Sequence, residues 1–215
     1  GAAIAGLIVD GGNFDWDNGR YPLLTQPQPG YHGLELTKAF GNLAFILKAR
    51  VDGLRDQGQA LGPFEAWVLL LGLETLSLRA ERHVQNTLEI AHWLREQEEV
   101  AWVNYPGLED HPSHAKAQKY FRGKPGAVLT FGLKGGYEAA KGFINRLELV
   151  SHLANVGDSR TLAIHPASTT HSQLSAQEQV LAGVSPELVR LSVGLEAAED
   201  LKADLKQALR APVGV

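Results

Sequence analysis

Residues Val189 to Glu196 read VRLSVGLE, and this stretch constrains the fold more than any other. One arginine sits inside an apolar, strand-like run, and an acidic helix follows at once. A cation in such a setting costs much free energy unless an anion lies opposite it. Guanidinium is the group best shaped to hold a carboxylate, through two parallel hydrogen bonds. Two readings of Arg190 follow. It clamps a carboxylate ligand, or it pairs with a nearby Glu or Asp, and the run alone does not choose between them.

The flanking pattern is that of an α/β protein. Ile4 to Val9 reads as a short buried strand ended by Gly11-Gly12. Residues 13–33 form a long loop rich in Gly, Pro, Asn and Asp, whose four aromatics need a packing surface, such as a partner subunit. Apolar periodicity predicts a helix over 34–57, stopped at Gly58, and a buried helix opening at Pro63. A break between Gly72 and Ser77 precedes an amphipathic helix from Leu78 to Glu96. From residue 100 strands and helices interleave. Strands are expected over Val100–Tyr105, Ala127–Leu133, Leu149–Leu153, Thr161–Ile164 and Leu188–Val193. His111–Phe121 is a polar helix or loop, and further helices fall at Tyr137–Leu147, Ser175–Ala182 and Glu199–Arg210. Ser175 and Glu178 form a capping box. The C-terminal part is therefore a small sheet with helices packed on it.

Composition narrows the functions. A net charge of -4, with no basic run, argues against a nucleic-acid partner. The chain has no cysteine, which excludes disulfides, thiol catalysis and thiolate metal sites, and which fits the cytosol. The longest apolar stretch, around Trp67 to Leu73, is far too short to span a bilayer, so no membrane role is expected.

Few residues carry chemistry on spacing alone. His111 and His114, beside Glu109 and Asp110, come nearest to a metal site, but no fourth ligand or rigid frame is evident. His165 and His171 flank a Pro-Ala-Ser-Thr-Thr loop after a strand, in which Thr169 and Thr170 either donate to a ligand or cap a turn. Asn155 stands in a turn-like stretch, where its amide suits either an amino acid or the turn itself. Ser168 lacks the context of a hydrolase nucleophile, and Gly132–Gly136 is too loose for a dinucleotide fingerprint.

Taken together, the motifs resemble the pyridoxal-phosphate enzymes of cysteine and methionine metabolism. The Val189–Glu196 run is similar to that family's C-terminal signature, and His165–His171 to its HPA-x-x-TH motif. SHLANVGD at 151–158 resembles the O-acetylhomoserine sulfhydrylase branch, where cystathionine lyases carry an S-L-G-G form. Tyr31-His32-Gly33, Gly72–Leu76, Arg79 with Glu81-Arg82-His83, and Asn104–Leu108 match that branch as well. The likeness covers nearly the whole chain, and the order and spacing of its motifs are more specific than any one of them.

The resemblance implies an aspartate-aminotransferase-like fold, with 1–77 a remnant of the cofactor-binding large domain and 78–215 a bridging helix plus a small C-terminal domain. It implies pyridoxal phosphate as cofactor, Arg190 as the clamp on an amino-acid substrate's α-carboxylate, Asn155 as its neighbour and Thr170 in the same pocket. The implied reaction is γ-replacement, making homocysteine from O-acetyl-L-homoserine and sulfide, in a cytoplasmic homotetramer. The family's cofactor lysine and phosphate loop are expected ahead of Gly1, in an N-terminal half. Thr37-Lys38-Ala39-Phe40-Gly41 imitates the lysine motif but lies downstream of the matching position. A cystathionine synthase or lyase of the same fold, or a non-catalytic half acting only in assembly, is the alternative.

Overall fold

A computed structural model describes residues 2–210. The chain divides into two compact units, one ending at Gly72 and one starting at Leu73. The division falls within a helix, ahead of the 77/78 boundary expected from the resemblance.

The first unit is sparsely packed. It contains α1 (Pro22–Thr25), α2 (Leu36–Phe40), α3 (Ala44–Lys48) and most of α4 (Pro63–Glu74). The continuous helix expected over 34–57 breaks at Gly41, whose φ of 53° leaves the right-handed helical region, and continues past α3 as a π-helical stretch over Ala49–Asp56. Leu24, Leu36 and Ala44 form a small core flanked by Trp16, Tyr21, Leu34 and Phe45. The loop aromatics thus pack on one another, with Trp16 stacked on Phe45 at 4.9 Å. The strand expected at Ile4–Val9 is absent, and Ile4, Leu7 and Val9 are exposed. A strand exists only by pairing, and no described segment pairs with these residues. Helix α4 was expected to be buried, yet Phe64, Trp67, Leu70 and Leu73 are all exposed. A helix apolar on most sides needs covering surface, and the described residues cover only part of it, leaving Ala66, Val68 and Leu69 half-buried.

The second unit has a full core. Helix α5 (Leu76–Arg95) starts after a break at Thr75. There follow β1 (Val100–Asn104), α6 (His114–Phe121), β2 (Val128–Leu133), α7 (Gly136–Arg146), β3 (Ser151–His152), β4 (Leu162–Ile164), α8 (Ala176–Leu181), β5 (Leu188–Ser192) and α9 (Ala198–Arg210). The sheet order is β1-β2-β5-β4-β3, antiparallel except for the β3–β4 pair. The expected capping box forms at α8, with the Ser175 N–H donating to Glu178 at 2.8 Å. The strand expected over Leu149–Leu153 shrinks to Ser151–His152, because the N–H groups of Leu149 and Val150 donate instead to the Asp204 carboxylate at 3.0 and 2.9 Å.

Strand alternation divides the sheet into two faces. Leu129, Phe131 and Leu133 of β2, with Val189 and Leu191 of β5, point into a core closed by α5, α7 and α9. Phe131 and Phe143 meet edge to face at 5.7 Å inside it. Helix α9 contributes Leu201, Leu205 and Leu209, and its first turn carries Glu199 and Asp200, which suit the positive end of the helix dipole. The alternate residues, Thr130 and Arg190 among them, point to the other face.

Candidate functional site

Arg190 occupies the centre of that second face. Its direct cross-strand neighbours are Thr130 on β2 and Ile164 on β4, and Thr130 in turn faces Asn104 on β1. Residues directly opposite in antiparallel strands project to the same side, so Asn104, Thr130, Arg190 and Ile164 form one row across the sheet. Alternation therefore explains how a cation fits an apolar run: the guanidinium leaves the core and is half-buried on the other side.

The arginine has no ion-pair partner among the described residues. One Nη2–H group donates to the backbone carbonyl of Asn155 at 3.1 Å. The nearest acidic candidate in sequence, Glu196, is engaged elsewhere. It accepts from the Thr161 backbone N–H and hydroxyl, both at 2.7 Å. Gly194 brings these groups together, since its N–H donates to the Thr161 hydroxyl at 2.8 Å, and a Cβ there would lie 2.5 Å from the Ser159 carbonyl oxygen. On α5, the buried His83 ring bonds the Val193 carbonyl at 2.7 Å, and Asn86 donates to the carbonyls of Gly194 and Glu196. These polar residues on the buried side of α5 fix the end of β5. Their signal in the sequence is a His and an Asn at i, i+3 on an otherwise apolar helix face. The structural ion pair is thus not formed, and the guanidinium keeps free N–H groups toward a cavity.

That cavity measures about 530 Å³ and brings together Arg190, Asn155, Thr170, Thr130 and His171 over an apolar wall that includes Ile164 and Leu188. Its size suits a small ligand. The Asn155 side chain bonds its own turn, accepting from the Val156 N–H at 2.8 Å, so it meets Arg190 through its backbone carbonyl rather than its amide. The Thr170 hydroxyl lies 2.9 Å from His171 Nδ1 at the cavity. Thr169 donates inward to the His165 carbonyl and belongs to the loop's own turn. Thr130 carried no distinct signal in the sequence, since cross-strand register is needed to place it beside Arg190, whereas His171 stands out as the end of the His165–His171 motif.

His165 is structural. It is fully buried, its Nε2 bonds the Pro186 carbonyl at 2.8 Å, and its Nδ1 lies 2.9 Å from the Ser168 hydroxyl. A carbonyl only accepts, so Nε2 carries the proton, while the Ser168 hydroxyl lies within reach of both Nδ1 and the His165 carbonyl, the latter at 3.3 Å. Gln179 of α8 ties the same loop by donating to the carbonyls of Ala167 and His171 at 3.1 and 2.9 Å. Tyr105 is likewise structural. Its hydroxyl donates to the Gly126 carbonyl at 2.9 Å, and burial pushes its pKa up to about 12.

No group of three His, Cys, Asp or Glu side chains able to hold a metal exists among the described residues. His111 and His114 turn to hydrogen bonds with Asn104 and the Pro106 carbonyl, and Asp110 takes both Nη groups of Arg95. Lys38 is exposed and paired with Glu35 at 2.6 Å, unlike a lysine that holds a cofactor. No helix among the described residues is long and apolar enough to cross a membrane.

Comparison with known proteins gives this geometry a context. The sequence profile of the Cys/Met metabolism PLP-dependent enzymes matches residues 1–210. O-acetyl-L-homoserine sulfhydrylase 1 of Thermus thermophilus is 82% identical over 209 residues, covering 97% of this chain and 50% of its own length. The O-acetyl-L-homoserine sulfhydrylase of Leptospira meyeri is 53% identical over 219 residues, covering 98% of this chain and 50% of its own length. The chain thus spans about half the length of the curated relatives it matches. Among solved structures, that of an O-acetylhomoserine (thiol)-lyase from Campylobacter jejuni, described with a pyridoxyl-lysine phosphate, superposes with a TM-score of 0.81 at 42% identity, over 91% of this chain and 46% of that one. The Arg190 cavity itself does not fit pyridoxal phosphate. Its lining offers no lysine for a covalent link and no carboxylate to pair with a pyridine nitrogen.

Proposed function

The chain belongs to the pyridoxal-phosphate-dependent enzymes of cysteine and methionine metabolism, and from that premise we propose that it is the carboxylate-holding half of an O-acetyl-L-homoserine sulfhydrylase. The supporting observation is Arg190, a half-buried guanidinium at a cavity with no carboxylate partner among the described residues. In the proposed reaction the Cγ–O bond of O-acetyl-L-homoserine breaks, acetate leaves with its electron pair, and hydrosulfide forms the new C–S bond of homocysteine. Pyridoxal phosphate supplies the electron sink for such chemistry when bound. The residues of this chain bind and orient. Arg190 holds the substrate's α-carboxylate and fixes its rotation, while Asn155 braces the guanidinium and Thr170 completes the cavity wall.

In this reading residues 1–77 belong to the cofactor-binding domain and 78–215 to a bridging helix and a small domain. The protein works in the cytoplasm as a homotetramer, and the exposed apolar face of α4 packs on other parts of the assembly. The test is product analysis on the holoenzyme containing this chain. With O-acetyl-L-homoserine and sulfide, homocysteine and acetate should form in equal amounts. Faster turnover with cysteine as the nucleophile, giving cystathionine, would instead make it a cystathionine synthase.

A further inference from the structure

We propose that Thr130 is a second substrate-carboxylate donor, held in its donating orientation by the positioning residues Asn104 and His111. This rests on Arg190 binding the carboxylate. Thr130 faces Arg190 directly across β2 and β5 and lines the same cavity. Directly opposite residues place their Cβ atoms about 5 Å apart, within reach of one shared carboxylate.

A chain of hydrogen bonds fixes which way the Thr130 hydroxyl points. The Ser113 backbone N–H donates to His111 Nδ1 at 3.0 Å. A nitrogen that accepts carries no proton, so in the neutral ring the proton sits on Nε2. His111 Nε2 therefore donates to Asn104 Oδ1 at 2.7 Å. This assigns the amide as well, because the reverse rotamer would set two donors against each other. Asn104 Nδ2 then donates to the Thr130 hydroxyl oxygen at 3.1 Å. With that oxygen already accepting, the hydroxyl proton is left to donate, and it meets no acceptor among the described residues. Its outlet is the cavity in which Arg190 stands. Polarised hydrogen-bond chains of this kind strengthen the terminal donor.

The prediction is selectivity for an acid over its amide. On the holoenzyme containing this chain, affinities for L-norvaline and L-norvalinamide, which share a side chain and lack a leaving group, are measured by calorimetry. Thr130→Val should weaken norvaline about tenfold, the loss of one hydrogen bond to a charged group, and leave norvalinamide nearly unchanged. Thr130→Ser keeps the hydroxyl and should retain the parent ratio. His111→Phe should lower the ratio by a smaller factor. Should the valine variant fail to fold, Asn104→Leu, made at an exposed residue, carries the same test. An unchanged acid-to-amide ratio in Thr130→Val and Asn104→Leu, with a collapsed ratio in Arg190→Lys, would overturn the role of Thr130 alone. An unchanged ratio in Arg190→Lys would overturn the carboxylate-clamp reading beneath it.

Discussion

The two faces of one sheet are built for different ends. The core face carries Leu129, Phe131, Val189 and Leu191, buried under three helices. The other face carries Asn104, Thr130, Arg190 and Ile164 in a single row, polar in the middle and open to a cavity. The same two strands serve both, because successive residues point to opposite sides. One face holds the second unit together, and the other holds a guanidinium that no carboxylate among the described residues neutralises. Mutations one residue apart on β5 should therefore have unlike effects.

The largest expected effect comes from breaking the core face. Phe143→Ala empties a fully buried site against Phe131 and should cost about 3–5 kcal/mol of stability, read by denaturant unfolding, with ligand affinity per folded molecule unchanged. Gly194→Ala forces a methyl group against the Ser159 carbonyl and should cost about 1–3 kcal/mol while shifting the end of β5. Asp204→Asn tests a buried anchor of the core side. Burial pushes this carboxyl up, but the N–H groups of Val150, Glu148 and Leu149, with Gln207, outweigh it and hold the pKa below the usual range. A depressed carboxyl stabilises the fold above its unfolded pKa of about 3.9 and loses that contribution as pH falls through the folded value. The variant should be less stable than the parent by about 1–3 kcal/mol at neutral pH, with the deficit shrinking below about pH 4 in unfolding measurements. The smallest effect serves as a control in the first unit, outside the sheet's own strands. Trp67→Gln on the exposed side of α4 should change stability by less than about 0.5 kcal/mol yet reduce self-association in sedimentation.

Much of this was legible in the sequence because local signals and tertiary packing agree in the second unit. The periodicities at 128–133, 188–192 and 198–210 gave strands and a helix where they occur, and the Ser175–Glu178 capping box formed as read. The first unit was read less well, since Ile4–Val9 and α4 have apolar patterns that predict burial while most of their large side chains are exposed among the described residues. Arg190, Asn155 and Thr170, singled out in the sequence, line one cavity. Their bonding was not legible. That Asn155 meets the arginine through its backbone, and that Glu196 turns to Thr161 rather than to Arg190, depend on where the chain returns after the strand. Thr130 needed the register of β2 against β5, which no single segment encodes.

Arg190→Lys in the holoenzyme, followed by steady-state kinetics and a melting curve on one sample, tests most directly whether the open face serves ligand rather than fold. Lysine keeps the charge and loses the planar fork. The account predicts a melting temperature near that of the parent and a loss of about 2–4 kcal/mol in transition-state binding, roughly 30- to 1,000-fold in kcat/KM. Unchanged kinetics with a lowered melting temperature would contradict it and make Arg190 a structural residue.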